Sequence, residues 1–379
     1  MRSHAELPDD AFEAEAHPTD PVALLASPAP DRARLLEALD AVRGPAITVL
    51  VRRLAWHRVD GIAWRTLAAM PPEGVDPWLR ATLRRAHQQR AAATLAQGLA
   101  LAEILEALAH AAVPVAVLRG MRAVEWIYKD AGTRAFEDHD LLIRPADESA
   151  ATEALRRLGF ERLAPALYRR GGVDVDLHVD PIGARRRPSR GRLFPVDTEA
   201  LFKRARPGWV SGGPALLLAD EDDVLLMALH LVKHSFDRLV RTADLAHLAA
   251  GEGRHFGWEA LAERARSIGA HRLVALAFGA AASLGVPAPP ALAFERGPGP
   301  LESLLLDRVR ALRPLPYGGE ILMALQAKRL GDRLLFLWDA LLPRGEAQRG
   351  RFGPADLPRR AAVLLDGAAR RRSDRREAS

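Results

Sequence analysis

The chain has 379 residues, 49% hydrophobic and 27% charged, which excludes disorder throughout and a membrane-embedded body and fits two or three ordinary domains. Lys and Arg number 54 against 48 Asp and Glu, a net charge of +6 that suits phosphate without demanding nucleic acid. There is no cysteine, so a disulfide framework, a thiolate metal site and a cysteine nucleophile are excluded, and any metal must bind oxygen or imidazole.

Residues 1–30, rich in Pro, Ala and acids, read as a disordered or loosely attached leader without the segments of a secretory signal, and the expected location is cytoplasmic. Residues 31–110 read as helical, with Leu35, Leu36, Leu39 and Val42, then Leu101, Ile104, Leu105 and Leu108, at helical spacing. The period then changes. Val113 to Leu118 is a short apolar run ending at Arg119-Gly120 before a helix-like stretch; Asp138 to Arg144 alternates; and Glu148 to Leu158 is a helix that Gly159 terminates. Short strands at 160–163 and 166–170 lead through a Gly171-Gly172 turn into Val173 to Val179. Residues 111–205 therefore predict a small α/β (α+β) core of βαβαββ order, with the Arg-rich stretch 185–192 as a solvated basic loop. A second helical region is expected over 206–344, from a capping Asp220 through further helices to about Leu342, and an Arg-rich tail over 345–379. The uncharged stretch Leu273 to Phe294 predicts a buried helix followed by a Pro-rich loop, not a membrane span.

Glu137-Asp138-His139-Asp140-Leu141-Leu142-Ile143 carries the main chemical signal. On a strand Asp138 and Asp140 share one face while His139, Leu141 and Ile143 share the other, and two adjacent carboxylates repel unless a cation neutralises them. Mg²⁺, or Mn²⁺ in its place, suits such oxygen ligands and is commonly completed by substrate phosphates. In Val173-Asp174-Val175-Asp176-Leu177-His178 the apolar residues again take one face, so either Asp176 or Asp174 can supply a third carboxylate. Three carboxylates able to hold two divalent ions suit phosphoryl transfer, and a strand-to-helix turn at Arg119-Gly120, with Arg134, suits the phosphates themselves. An ordinary solvated strand face is the plain alternative for both acidic strands. His230 and His234, four apart on one helix, lack the Glu of a zinc-protease motif and read as packing or phosphate-contacting histidines; Lys233, with Arg238 or Arg241, can face a nucleotide. Aromatic residues, 6% of the chain, do not interleave with the Arg runs, so nucleic acid is a weakly supported partner.

These segments together resemble the uncharacterised bacterial nucleotidyltransferases of the DNA polymerase β-like superfamily, from about Leu35 to Pro290. The marks are Val117-Leu118-Arg119-Gly120, Arg134 ahead of Glu137 to Ile143, Leu158-Gly159-Phe160, Val175-Asp176-Leu177-His178, then Leu229 to His234, Arg238-Leu239 and Asp244-Leu245. The resemblance implies a small mixed-sheet nucleotidyltransferase core between two helical regions, transferring a nucleoside monophosphate from an NTP to an acceptor hydroxyl with Mg²⁺. It implies Asp138, Asp140 and Asp176 as metal and catalytic residues, and Arg119, Gly120, Arg134 and Lys233 as nucleotide-binding residues. Arg119 stands where a Lys is usual, Met121 where a Ser is usual and His139 where an aliphatic residue is usual. The alternative is a nucleotide-binding or protein-interaction module of the same fold without turnover. The acceptor, whether protein, small molecule or RNA end, is not implied.

Overall fold

The computed structural model describes residues 20–185, 188–251, 256–313, 315, 317–327 and 329–341. Five helices come first: α1 (Pro21–Ala26), α2 (Arg32–Asp40), α3 (Pro45–His57), α4 (Asp60–Ala68) and the long α5 (Pro77–His110). The α/β portion comes next as β1 (Val115–Leu118), α6 (Gly120–Ala123), β2 (His139–Ile143), α7 (Glu148–Arg157), β3 (Glu161–Arg162), β4 (Leu167–Arg170) and β5 (Val173–His178). Then come α8 (Pro188–Leu193), α9 (Thr198–Arg204), β6 (Arg206–Val210), β7 (Gly213–Leu217) and α10 (Asp220–Lys233). The remaining helices are α11 (Leu239–Ala249), α12 (Trp258–Ser267), α13 (His271–Ala281), α14 (Pro300–Arg310), α15 (Gly318–Leu325) and α16 (Leu330–Leu341).

The strands form one seven-stranded sheet in the order β3-β4-β5-β2-β1-β7-β6. It is mixed: β2 pairs β1 antiparallel but β5 parallel, and β7 joins the other side of β1 in parallel. Each face has its own core. Val115, Val117, Leu141, Ile143, Val175 and Leu177 pack with Leu101, Ile104, Leu105 and Leu108 of α5 and with Ala151 and Leu155 of α7. Ala116, Leu118 and Leu142 point the other way, into a second core shared by α1–α4 and α10–α15. Alternation along β2 and β5 thus sends Leu141, Ile143, Val175 and Leu177 towards α5 and leaves Asp140 and Asp176, with Leu142, on the helical-domain side. α5 is apolar and long enough to cross a membrane by length and composition, but one face of it is buried against the sheet.

Several expectations are corrected. Residues 20–30 are not loosely attached: Asp20 caps α1, accepting from the Val22 amide at 2.9 Å, and Val22, Leu25 and Ala26 are fully buried. Residues 1–19 and the tail 345–379 lie outside the described residues. The boundary at 205 cuts through the sheet, since β6 and β7 lie beyond it; their turn, Ser211 (φ 53) and Gly212 (φ 84), has the left-handed pair that a two-residue hairpin needs. The two helical regions are one body, because α1 packs against α11 and the helices of both regions share one core. In the stretch 185–192, Arg186 and Arg187 lie outside the described residues. Arg190 is not solvated there: it is buried on α8, donating to Glu320 at 2.9 Å and to the Ile182 carbonyl at 3.0 Å. The stretch from Leu273 is the buried helix expected.

Two positions in this fold should show measurable effects on stability. A Cβ on Gly319 of α15 would lie 1.6 Å from the Val232 carbonyl oxygen at the end of α10. Gly319→Ala is expected to lower stability by about 3 kcal/mol or more in urea unfolding; a variant within roughly 1 kcal/mol of wild type would refute this contact. On α10, burial pushes the Asp223 carboxyl up to about 7 against the pull of Arg122, whose Nε donates to it at 3.2 Å. A folded-state value above the unfolded 3.8 means that the native state holds the extra proton, so this group's contribution is full below pH 3.8 and is lost as pH rises towards 7. Wild-type stability should fall across that window, relative to Asp223→Asn, with a slope approaching about 1.4 kcal/mol per pH unit. Parallel stability profiles for the two proteins would remove the assignment.

Candidate active site

Strand register builds the site. Leu118 at the end of β1 stands opposite Asp140 on β2, and Asp140 stands opposite Asp176 on β5. Because β2 and β5 run parallel and in register, the two acids leave the same face of the sheet side by side. Asp174, the other candidate on β5, is instead held by Arg169 of β4 through two bonds of 2.5 Å. His139 lies on the opposite face, 1% exposed, its Nε2 3.1 Å from Gln97 Oε1 of α5 and its ring against Phe136; burial holds the imidazole down at about 4, so it is neutral.

Arg119 supplies the nearest positive charge. Its Nε donates to Asp140 Oδ2 at 3.0 Å and its Nη2 reaches Oδ1 at 2.6 Å, a bidentate pair with both side chains largely buried. Its backbone sits at φ 52, ψ −128, a conformation that glycine favours and that costs an arginine of order 1–3 kcal/mol. In this turn Arg119, not Gly120, is the residue with the left-handed backbone. Burial works against the guanidinium charge, and Asp140, Asp138 and Asp176 together more than offset it. Burial alone would raise the Asp140 carboxyl, but Arg119 and His178 hold it well below the usual carboxylate range. Asp138 behaves in the opposite way: burial, then the charges of Asp140 and Asp176, push it up to about 6 despite Arg119. One guanidinium therefore does not neutralise three carboxylates.

His178 completes the group. Its Nε2 lies 2.8 Å from Asp140 Oδ1 and 3.6 Å from Asp176 Oδ2, and one ligand atom from each of these three residues falls within 4.8 Å of the others. The signal for it was present in the spacing Asp174-Asp176-His178, one face of one strand, but nothing local said that this face would meet β2.

The rings of His230 on α10 and of His234, which caps that helix, lie 4.4 Å apart at a tilt of 47°. Burial first, and then Arg119, Lys233 and Arg241, depress both imidazoles, His234 to about 2. The charge of Arg119 is thus felt at both imidazoles. His230 and Lys233 also line a cleft with Pro181, Ile182, Phe194 and Leu229. Arg241 is paired with Asp237, while Arg238 lies 3.6 Å from the Trp56 ring and donates to the Trp56 carbonyl. Arg134 is committed elsewhere than expected. Its Nε and Nη2 bind Asp244 of α11 at 2.7–3.0 Å, and the Tyr128 hydroxyl donates to the same carboxylate at 2.9 Å. A phosphate would have to compete with Asp244 for it.

A family model described as an uncharacterised nucleotidyltransferase matches residues 45–285, from α3 through the whole sheet to the end of α13. The chain belongs to this nucleotidyltransferase family. No curated protein and no solved structure matches it. The span holds every acid and cation just described, so the candidate site lies within the family's extent. Family membership supports nucleotidyl transfer as the class of chemistry, and the carboxylate–imidazole group offers ligands for a divalent ion.

Proposed function

We propose that this nucleotidyltransferase moves a nucleoside monophosphate from an NTP to an acceptor hydroxyl, on a DNA polymerase β-like core, with Asp138, Asp140 and Asp176 serving a divalent metal, Mg²⁺ or Mn²⁺. One observation carries the reading: the parallel register that sets Asp140 beside Asp176, with Asp138 near enough for the three charges to be felt together. The donor set fits such an ion, because the carboxylates of Asp140 and Asp176 and the His178 imidazole bring ligand atoms within 4.8 Å of one another.

When bound, a divalent ion there supplies Lewis-acid polarisation of phosphate oxygens and lowers the pKa of a hydroxyl it touches. The chain's own groups do the rest. Arg119, with Lys233 and Arg241, offers positive charge to the triphosphate; Asp176 orients the acceptor hydroxyl and accepts its proton. The acceptor oxygen bonds to the α-phosphorus, the α–β bridging bond breaks, and pyrophosphate leaves with that electron pair. Arg119 must release Asp140 for this to happen, which couples phosphate binding to opening of the acid cluster.

A second reading, a nucleotide-binding module without turnover, draws on the same Arg119–Asp140 clamp: a built-in cation already satisfies both oxygens of Asp140. Incubation with labelled NTPs, divalent metal and a cell extract separates the two. Transfer of label that Asp140→Ala abolishes supports the enzyme; metal-dependent NTP binding with no transfer supports the module and overturns the catalytic reading.

A further inference from the structure

The position of His178 bears on which ion the site takes, an inference that rests on the proposed role of these acids as metal ligands. His178 lies two residues beyond Asp176 on β5, so both side chains leave the same face. An imidazole that only orients one carboxylate meets one carboxylate. The His178 Nε2 reaches both, 2.8 Å from Asp140 Oδ1 and 3.6 Å from Asp176 Oδ2. Ligands bound at about 2.1 Å to one ion stand about 3.0 Å apart along an octahedral edge and about 3.4 Å apart along a tetrahedral one. The two separations bracket those values, and one ligand atom from each of the three residues falls within 4.8 Å of the others, so they can share an ion once Arg119 gives up its hold on Asp140.

We infer that His178 is a protein ligand of the metal beside Asp140 and Asp176, and that this imidazole makes the site select a first-row transition ion over Mg²⁺. Mg²⁺ is hard and holds to oxygen ligands, whereas imidazole nitrogen favours first-row ions in the order Mn²⁺ below Co²⁺. For His178 to bind, its proton sits on Nδ1 and the Nε2 lone pair turns to the ion. The present contact with Asp140 then becomes a ligand-to-ligand edge.

The full chain, titrated calorimetrically with Mg²⁺, Mn²⁺ and Co²⁺, is expected to bind them with affinity rising in that order, Mn²⁺ at least about tenfold tighter than Mg²⁺. Pulsed EPR of the Mn²⁺ form should show nitrogen coupling from a directly bound imidazole. His178→Gln should remove that coupling and weaken Mn²⁺ about tenfold while changing Mg²⁺ far less. The wild-type spectrum is informative whether or not the variant folds, and His178→Asn is the second substitution. Bound Mn²⁺ without nitrogen coupling, or coupling that persists in a folded His178 variant, overturns the ligand assignment and leaves the carboxylate site standing. Absence of any Mn²⁺ binding that Asp140→Asn removes overturns the metal-site reading itself.

Discussion

Asp140→Asn is expected to lower the rate of nucleotidyl transfer by about 10³-fold or more, equivalent to about 4 kcal/mol of transition-state stabilisation. Asp140 is the acid on which the site converges: Arg119 grips both of its oxygens, His178 shares one, and Asp176 stands opposite in the next strand. The amide is nearly the same shape but carries no charge, so the variant loses ion affinity and releases Arg119 from a partner that its burial requires. Asp174→Asn is the control. By alternation alone Asp174 is an equal candidate, yet its carboxylate is bound by Arg169 near the sheet's edge, and its loss should leave the rate within about twofold of wild type. Initial rates of label transfer for the two variants decide the matter. Equal losses would mean that the β5 face is used differently from the way its register suggests.

The second large effect concerns folding. Asp244→Ala is expected to destabilise the protein by about 3–5 kcal/mol, because it strands the buried Arg134 guanidinium and removes the acceptor of the Tyr128 hydroxyl. For a chain of this size that corresponds to a fall in melting temperature of about 5 °C. The pair ties the segment between α6 and β2 to α11, and that segment ends at Asp138, with Asp140 two residues further on in β2. A double variant, Arg134→Met with Asp244→Leu, removes both charges and should recover a good part of the loss, since the penalty comes from an unpaired buried ion. Thermal and urea unfolding of the single and double variants test this. A double variant as unstable as Asp244→Ala would show that the hydrogen bonds, not the stranded charge, set the cost.

Most of the helices and the β1-to-β5 run are legible in the hydrophobic period, and the corrections share one cause. Local signals such as caps, turns and alternation have a reach of a few residues, while β6 and β7 owe their place to pairing with β1, about 100 residues upstream, and α1 owes its order to burial against α4 and α11. Neither a two-residue hairpin turn nor an Asp-Pro cap announces where its element will dock. The Arg-rich stretch misleads for the same reason: Arg190 looks solvated until Glu320, 130 residues away, is brought to it.

The amino-acid order alone settled that Asp176 and His178 share one face of a strand with apolar residues on the other, since a strand's two-residue repeat is a local property of the backbone. Asp138, expected on the strand of Asp140, lies just before β2 begins at His139. Folding in three dimensions settled which faces meet. It set Asp176 beside Asp140, and gave Asp174 to Arg169, Asp140 to Arg119 and Arg134 to Asp244. Strand register and long-range ion pairs depend on which distant elements bury one another's apolar surface, and that is a sum over the whole chain that no single segment contains.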